Sequence, residues 1–405
     1  MPSVLPEGEP APSDGSLPEQ VRPEIPLRPL GIYVHVPFCI TRCGYCDFNT
    51  YTAAELGTEP GAGRAGYIDA AIQELELAAR VLGPEAPAVS TIFVGGGTPT
   101  VLPPDDLGRL ITAVRDHFGL VTDAEVTTES NPESIDSAGL HRLRELGFNR
   151  ISFGMQSAVP HVLATLDRVH SPGRPLQAVA EAKAAGFANI SLDLIYGTPG
   201  ESAADWRESL DAALSAAPEH ISVYALIVEQ GTRLAARIRR GELPPPDDDD
   251  LAEKYLIADE RLATAGHTVY EVSNWSTSAA ARCRHNLGYW RSHHWWGVGP
   301  GAHSHVGGVR WWNVKHPAAY ASRLASGVSP AQAREVLSAA DRRVERILLE
   351  LRLADGLSTS LLTVGERNRL PDLFDRRLAV VENEMLILTR EGRLLADGVI
   401  RDLLD

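Results

Sequence analysis

Between Gly31 and Leu226 the chain repeats one local pattern, and that pattern restricts the fold more than any other feature. Short apolar, β-branched runs alternate with longer stretches whose apolar residues recur at helical spacing. Gly31–Val36, Ser90–Val94, Glu125–Glu129, Arg150–Phe153, Ile190–Leu194 and Ile221–Leu226 read as strands. Tyr67–Val81, Asp105–Phe118, Ser137–Leu146, Leu176–Ala185 and Ala203–Ala216 read as helices, with Leu107, Leu110, Ile111 and Val114 on one face of the second. Gly147 and Gly186 stop two of them. Repeated strand–helix units imply an α/β fold with a parallel sheet covered by helices, either open and doubly wound or closed as a barrel. In both, ligands bind at the C-terminal ends of the strands.

Glycine and polar residues gather where that rule puts them. Gly95-Gly96-Gly97-Thr98-Pro99-Thr100, Glu129-Ser130-Asn131-Pro132, Gly154-Met155-Gln156-Ser157, and Asp193 with Gly197-Thr198-Pro199-Gly200 each lie at or just after a strand. Such clusters around one rim point to a site rather than to unrelated turns. Glycines allow close backbone approach, and carboxylates accept from hydroxyls or an ammonium.

Cys39-Ile-Thr-Arg-Cys43-Gly-Tyr-Cys46 follows the first strand, and the only other cysteine is Cys283. A disulfide framework spreads its cysteines along a short secreted chain, so this clustering favours a metal. Soft thiolates suit an iron–sulfur cluster or zinc. A structural zinc site needs four closed ligands, and Asp47-Phe48-Asn49 follow instead of a fourth cysteine. Zinc would need His35 or a distant histidine. Three thiolates on a cluster leave one iron open.

This C-x3-C-x2-C motif after the first strand of a β/α repeat resembles the radical SAM superfamily. The resemblance implies a partial (β/α)6 barrel with a smaller helix-rich C-terminal domain. It implies that Cys39, Cys43 and Cys46 bind a [4Fe-4S] cluster whose open iron chelates S-adenosylmethionine (SAM), with reductive cleavage to a 5′-deoxyadenosyl radical. Tyr33-Val-His35-Val-Pro37-Phe38-Cys39, the Gly95–Thr100 and Glu129–Pro132 clusters, Arg150–Ser157 and Asp193–Gly200 resemble the branch holding oxygen-independent coproporphyrinogen III oxidases and haem chaperones. On that resemblance Tyr33 and Tyr45 line the SAM site, Gly96, Gly97 and Thr98 receive its amino end, and Glu129, Gln156, Arg168 and Asp193 complete the pocket.

Two features separate the branches. The oxidases resemble C-x3-C-x2-C-x-C, and here the last position is Phe48, as in the chaperone group. Arg284-His285-Asn286-Leu287-Gly288-Tyr289-Trp290 matches the HNxxYW signature of the haem chaperones, whose histidine is implicated in haem binding. Chemically, His285 could ligate iron, with Tyr289 and Trp290 covering the macrocycle, or be a hydrogen-bonded structural histidine beside core aromatics. Cys283 is open between a second haem ligand and a plain thiol, and His303 could be structural. The expectation is a haem chaperone passing haem to acceptor haemoproteins, some of them membrane-associated. The rivals are a coproporphyrinogen III oxidase and a zinc-stabilised interaction protein.

The remaining segments are less specific. Met1–Leu30, rich in Pro and acid, reads as a disordered leader, and 31–240 as the barrel. Gly241–Asp250, with three prolines and four consecutive aspartates, reads as a boundary or surface loop with a merely solvated acid run. It opens a haem-motif and barrel-closing region, 241–328. Within that region, Asn274–Trp312 carries six of the seven tryptophans and five histidines, open between haem surface, membrane-proximal contact and core. From Ser329 a helix-rich unit shows one stripe of Val344, Ile347, Leu348 and Leu351. The net charge of −15 argues against nucleic acid as a partner. No apolar run reaches the roughly 18 residues of a membrane span, and no signal-peptide core is visible, so a cytoplasmic location is expected.

Overall fold

A computed structural model of the chain describes residues 7–57 and 61–404. Its strands are β1 (Glu9–Pro10), β2 (Leu30–Val36), β3 (Val89–Gly96), β4 (Leu120–Ser130), β5 (Arg150–Gln156), β6 (Asn189–Tyr196), β7 (His220–Ala225), β8 (Thr268–Glu271), β9 (Asn274–Ser276), β10 (His294–Val298), β11 (His303–Val306), β12 (Val309–Asn313), β13 (Ala331–Val336), β14 (Leu357–Ser358), β15 (Ala379–Glu382) and β16 (Met385–Leu388). β2 to β7 pair in sequence order, all parallel. Helices Tyr67–Leu82, Pro104–Phe118, Ser137–Glu145, Arg174–Ala184 and Ala203–Ser215 connect them. This is the six-stranded partial barrel, and the elements follow the sequence pattern closely. The stripe Leu107, Leu110, Ile111 and Val114 is buried against the sheet.

The strands show two chemical faces. Ile32 and Val34, Ile92 and Val94, Ile151 and Phe153, and Ile221 and Val223 belong to the buried apolar core beneath the helices. The residues between them face the lumen: Tyr33 and His35, Thr127 and Glu129, Arg150 and Ser152, Ser191 and Asp193, His220, Ser222 and Tyr224. Period-two alternation sends successive side chains to opposite faces.

The Trp-rich segment extends this sheet. β10 lies parallel to β2, with Trp295 opposite Gly31. β11, β12, β13 and β1 follow antiparallel, while β9 and β8 close the other edge beside β7. Trp275, Trp296, Trp311 and Trp312 are buried, so most of that aromatic density is core. Glu74 of helix Tyr67–Leu82 pins the extension. Its carboxylate accepts from Gly299 N at 2.8 Å, Asn313 Nδ2 at 2.8 Å, Tyr320 Oη at 2.5 Å and Trp296 Nε1 at 3.4 Å.

Three expectations need correction. The leader is ordered over residues 7–30, and only its part in residues 1–6 lies outside the described residues. β1 adds to the sheet edge, and helical turns over Glu19–Leu27 bury Val21 and Ile25 in the main core. Two of its acids are paired locally, Glu24 with Arg342 and Glu9 with Arg334. The aspartate run is not merely solvated. Asp247 caps helix Asp248–Thr264, and Asp250 pairs at 2.6 Å with Lys254, which is 1% exposed. The C-terminal unit starts later than Ser329, because β13 belongs to the large sheet. From Ser338, which caps helix Ala339–Glu350, a second core gathers Ile347, Leu351, Leu373, Leu386 and Ile400. That unit includes a three-stranded sheet, β14-β16-β15, among its helices. Among the described residues no helix is long and apolar enough to cross a membrane.

Candidate functional site

The cysteine loop is fixed from two sides. Cys39 N bonds Tyr51 O at 3.0 Å, Gly44 N bonds Leu166 O at 2.9 Å, and Leu234 N bonds Gly44 O at 2.8 Å. At Gly44 a Cβ would stand 2.5 Å from Asp167 Oδ2, so a side chain here would have to displace Asp167. Gly97 likewise lies against the loop, where a Cβ would meet Phe38 O at 2.5 Å. The three sulfurs line one cavity of about 490 Å³ together with Tyr45, Gly96, Gly97, Thr98, Glu129, Gln156, Arg168 and Asp193. The structure thus brings together all but one of the residues expected around SAM. Tyr33 lines the adjoining inner cavity and shares a 3.0 Å hydrogen bond with His35 Nδ1.

The chemistry of these groups is set by burial. Thr98 Oγ1 lies 3.9 Å from Cys39 Sγ, and Arg168 Nη1 donates toward Cys43 Sγ at 3.6 Å. Burial pushes the Cys46 thiol up to about 11. Metal ligation requires thiolates, so cluster assembly here releases protons. Glu129 accepts from Gly96 N at 3.0 Å, while burial and the nearby Asp193 carboxylate push it up to about 7. Asp193 receives Ser152 Oγ at 2.9 Å and 2.8 Å and Ser191 Oγ at 3.3 Å, and burial raises its carboxyl above the usual range. Gln156 has φ 65°, a left-handed backbone that a non-glycine residue adopts only when its surroundings impose it. Arg168 Nε is buried without a partner, an unspent donor at the cavity wall. Three thiols, an unspent guanidinium N–H, acceptor carboxylates and a glycine cradle fit a cluster carrying an amino-acid chelate. Among the described residues no three His, Cys, Asp or Glu side chains converge on a single-ion site, whereas cubane corners lie further apart.

The inner cavity, about 420 Å³, continues the first through Phe48, Gly96, Glu129, Ser152, Asp193 and Tyr224. His285 and Tyr289 stand in its wall on helix Arg284–Trp290. Glu125 fixes the start of that helix by accepting from Arg284 N and His285 N, both at 3.0 Å. His285 is 3% exposed and stacks on Phe93 at 5.3 Å. Its Nδ1 shares a 2.8 Å bond with Thr91 Oγ1 and its Nε2 another with Tyr289 Oη, also 2.8 Å. Burial lowers it to about 3, which leaves a neutral imidazole. Trp290 is not brought to this cavity. It packs with Tyr270 and Leu287 on Leu353 of the C-terminal unit. Cys283 lines the cavity and donates to Glu125 Oε1 at 3.7 Å. Sequence reasoning missed Ser152, Ser222 and Tyr224. Polar alternation within β5 and β7 carried that information.

The Radical SAM superfamily matches residues 33–213. The heme chaperone HemW of Mycobacterium tuberculosis (strain H37Rv) is 53% identical over 380 residues, 94% of this chain and 96% of the relative. The chain belongs to the HemW family of radical SAM proteins. The HemW of Bacillus subtilis is 33% identical over 376 residues, covering 91% of this chain and 97% of its own. Among solved structures, the coproporphyrinogen III oxidase HemN of Escherichia coli superposes with a TM-score of 0.80 at 23% identity, over 96% of this chain and 94% of HemN. This chain and HemN thus share the barrel and its extension. Superfamily membership implies SAM and an iron–sulfur cluster, and the cavity around Cys39, Cys43 and Cys46 has the donors to hold them.

Proposed function

We propose that this HemW-family chain is a haem chaperone, which holds haem beside a SAM-ligated [4Fe-4S] cluster and delivers it to acceptor haemoproteins in the cytoplasm or at a membrane surface. Cys39, Cys43 and Cys46 hold the cluster, and Tyr33, Tyr45, Gly96, Gly97, Thr98, Glu129, Gln156, Arg168 and Asp193 surround SAM. The bound cluster supplies one-electron chemistry. The protein's part is to orient SAM against the Gly95–Gly97 cradle and to exclude water from the cavity. The observation that carries the reading is the inner cavity, which joins the cysteine cavity and is walled by Tyr33, Phe93, Tyr289 and Trp295. Flat apolar rings suit a macrocycle. Phe48, 47% exposed, borders both cavities at the position where the oxidases carry a further cysteine. The relatives named heme chaperone support the same reading. The fold shared with HemN favours the oxidase as the second reading.

The test is anaerobic titration of the cluster-reconstituted chain with haem, followed by mixing with an apo-haemoprotein. Stoichiometric uptake and subsequent transfer are expected. Haem that binds but never leaves, or never binds, contradicts the proposal.

Glu129 yields a prediction that links stability to SAM. Its folded value of about 7 lies above the ordinary 4.5, so between these pH values the folded chain binds the proton more tightly than the unfolded chain. Its contribution to stability is therefore present at low pH and is lost as pH rises through 7. Glu129→Gln keeps an acceptor for Gly96 N. It should flatten the fall of Tm with pH across that window while weakening SAM binding about tenfold, a loss of roughly 1.4 kcal/mol. Calorimetric titration with SAM and Tm measured against pH check both. Wild-type affinity with an unchanged slope would refute the assignment.

A further inference from the structure

Lys254, on helix Asp248–Thr264, is 1% exposed and lines neither cavity. Burying an ammonium is costly unless it is paired and hydrogen-bonded. Its Nζ donates to Asp250 Oδ2 at 2.6 Å and to Glu201 O at 2.7 Å, and stands 3.4 Å from Glu201 Oε2. Trp206 Nε1 donates to Lys254 O at 2.9 Å, which ties this lysine to helix Ala203–Ser215. The Glu201 side chain is buried as well. Replacing a buried ion pair by well-packed apolar residues is often neutral for stability. This pair is therefore better explained by what it holds in place.

Glu201 Oε2 accepts from Gly197 N at 2.7 Å. The carbonyl of the same peptide unit, Tyr196 O, accepts from Leu226 N at 2.9 Å. Both polar groups of the peptide joining Tyr196 to Gly197 are thus engaged, one by Glu201 and the other by the segment that follows β7. The ladder between β6 and β7 ends at Tyr196 opposite Ala225. Just there the chain turns into the cysteine cavity, whose wall includes Ile195, Ala225, Leu226 and Ile227. Ile195 and Leu226 share a buried apolar cluster against which Tyr45 of the cysteine loop packs. These residues form an apolar side in a cavity otherwise lined by thiols, carboxylates, a guanidinium and glycines. A shift of the Tyr196–Gly197 peptide would move that side against whatever fills the cavity.

We propose that Glu201, held by Lys254, is a positioning residue for SAM, an assignment that rests on the reading of the cysteine cavity as the SAM site. Glu201 touches no ligand. It fixes the Tyr196–Gly197 peptide, the peptide fixes Leu226, and Leu226 sets the apolar wall on which SAM rests. Geometry of this kind, held from behind the wall, is what lets a bound molecule keep one orientation.

The test is calorimetric titration of the anaerobic, cluster-reconstituted full chain with SAM. Glu201→Ala should weaken SAM binding about tenfold while iron and sulfide content stay at the wild-type level. Glu201→Gln, which keeps an oxygen for Gly197 N, should recover most of that affinity. A merely structural role would show in Tm and leave SAM affinity unmoved. Lys254→Met, which removes the partner of Glu201 and keeps the length of the side chain, should also weaken SAM binding. It is read in parallel, so that a folding failure of the alanine variant does not end the test. Wild-type SAM affinity in folded Glu201→Ala or Lys254→Met overturns the assignment. So does a Glu201→Gln variant that binds SAM no better than alanine. Absence of SAM binding by the cluster-loaded wild type instead sinks the SAM reading of the cavity, and this assignment with it.

Discussion

Serine in place of Cys39, Cys43 or Cys46, one at a time, is expected to abolish the iron–sulfur cluster. All three sulfurs face one cavity from a loop whose backbone is tied to Tyr51, Leu166 and Leu234. The loop therefore cannot recruit another donor without breaking those bonds. Among the described residues the remaining cysteine, Cys283, is buried in the lumen wall against Glu125, away from this loop. A serine oxygen is a hard donor and does not replace a thiolate on iron. Iron and acid-labile sulfide after anaerobic reconstitution, with the visible charge-transfer absorption, should fall to background in each variant. Cys283→Ser should keep the full complement. Retention of iron and sulfide in all three loop variants would refute the ligand set. Zinc without iron or sulfide in the wild type would favour the interaction-protein reading.

Glu74→Ala is expected to be the most damaging substitution away from the site. Its carboxylate collects four donors from the strand extension and from helix Pro317–Ala325, and burial pushes it up to about 7 against their pull. Truncation leaves Gly299 N, Tyr320 Oη and Trp296 Nε1 without that acceptor, while Asn313 Nδ2 keeps Gly299 O at 2.9 Å. Each orphaned buried donor carries a desolvation penalty of about 1–3 kcal/mol. Glu74→Gln, which keeps one acceptor oxygen, should fall between wild type and alanine. Denaturant unfolding or Tm decides the matter. A change below about 1 kcal/mol, the size of an average substitution, would show that the extension does not depend on this pin.

Much of the barrel was legible because its information is local. Helix Pro104–Phe118 differs from the expected Asp105–Phe118 by one residue, since its stripe and its stopping glycine sit within one segment. The cysteine loop was legible for the same reason. What was missed depends on distant partners. Val21 and Ile25 are two apolar residues in a background of proline and acid, and only the sheet they cover makes them core. β13 reads as the start of a separate unit until its partner β12 is known. Trp290 sits one position beyond Tyr289, and only the helix direction tells that it turns to Leu353 while Tyr289 faces the lumen. The lumen itself was partly legible, because polar residues alternate through Arg150 and Ser152 and through His220, Ser222 and Tyr224. Strand runs judged by their apolar content conceal that second face.

On the proposed function this radical SAM site serves haem traffic and not porphyrin decarboxylation. The most direct test is an anaerobic assay of the cluster-reconstituted chain with SAM, a strong reductant and coproporphyrinogen III, with porphyrin and 5′-deoxyadenosine both read by mass spectrometry. Coproporphyrinogen III should be recovered intact, whatever 5′-deoxyadenosine is formed. Decarboxylated porphyrin accumulating over multiple turnovers would contradict it and make the chain an oxidase despite Phe48.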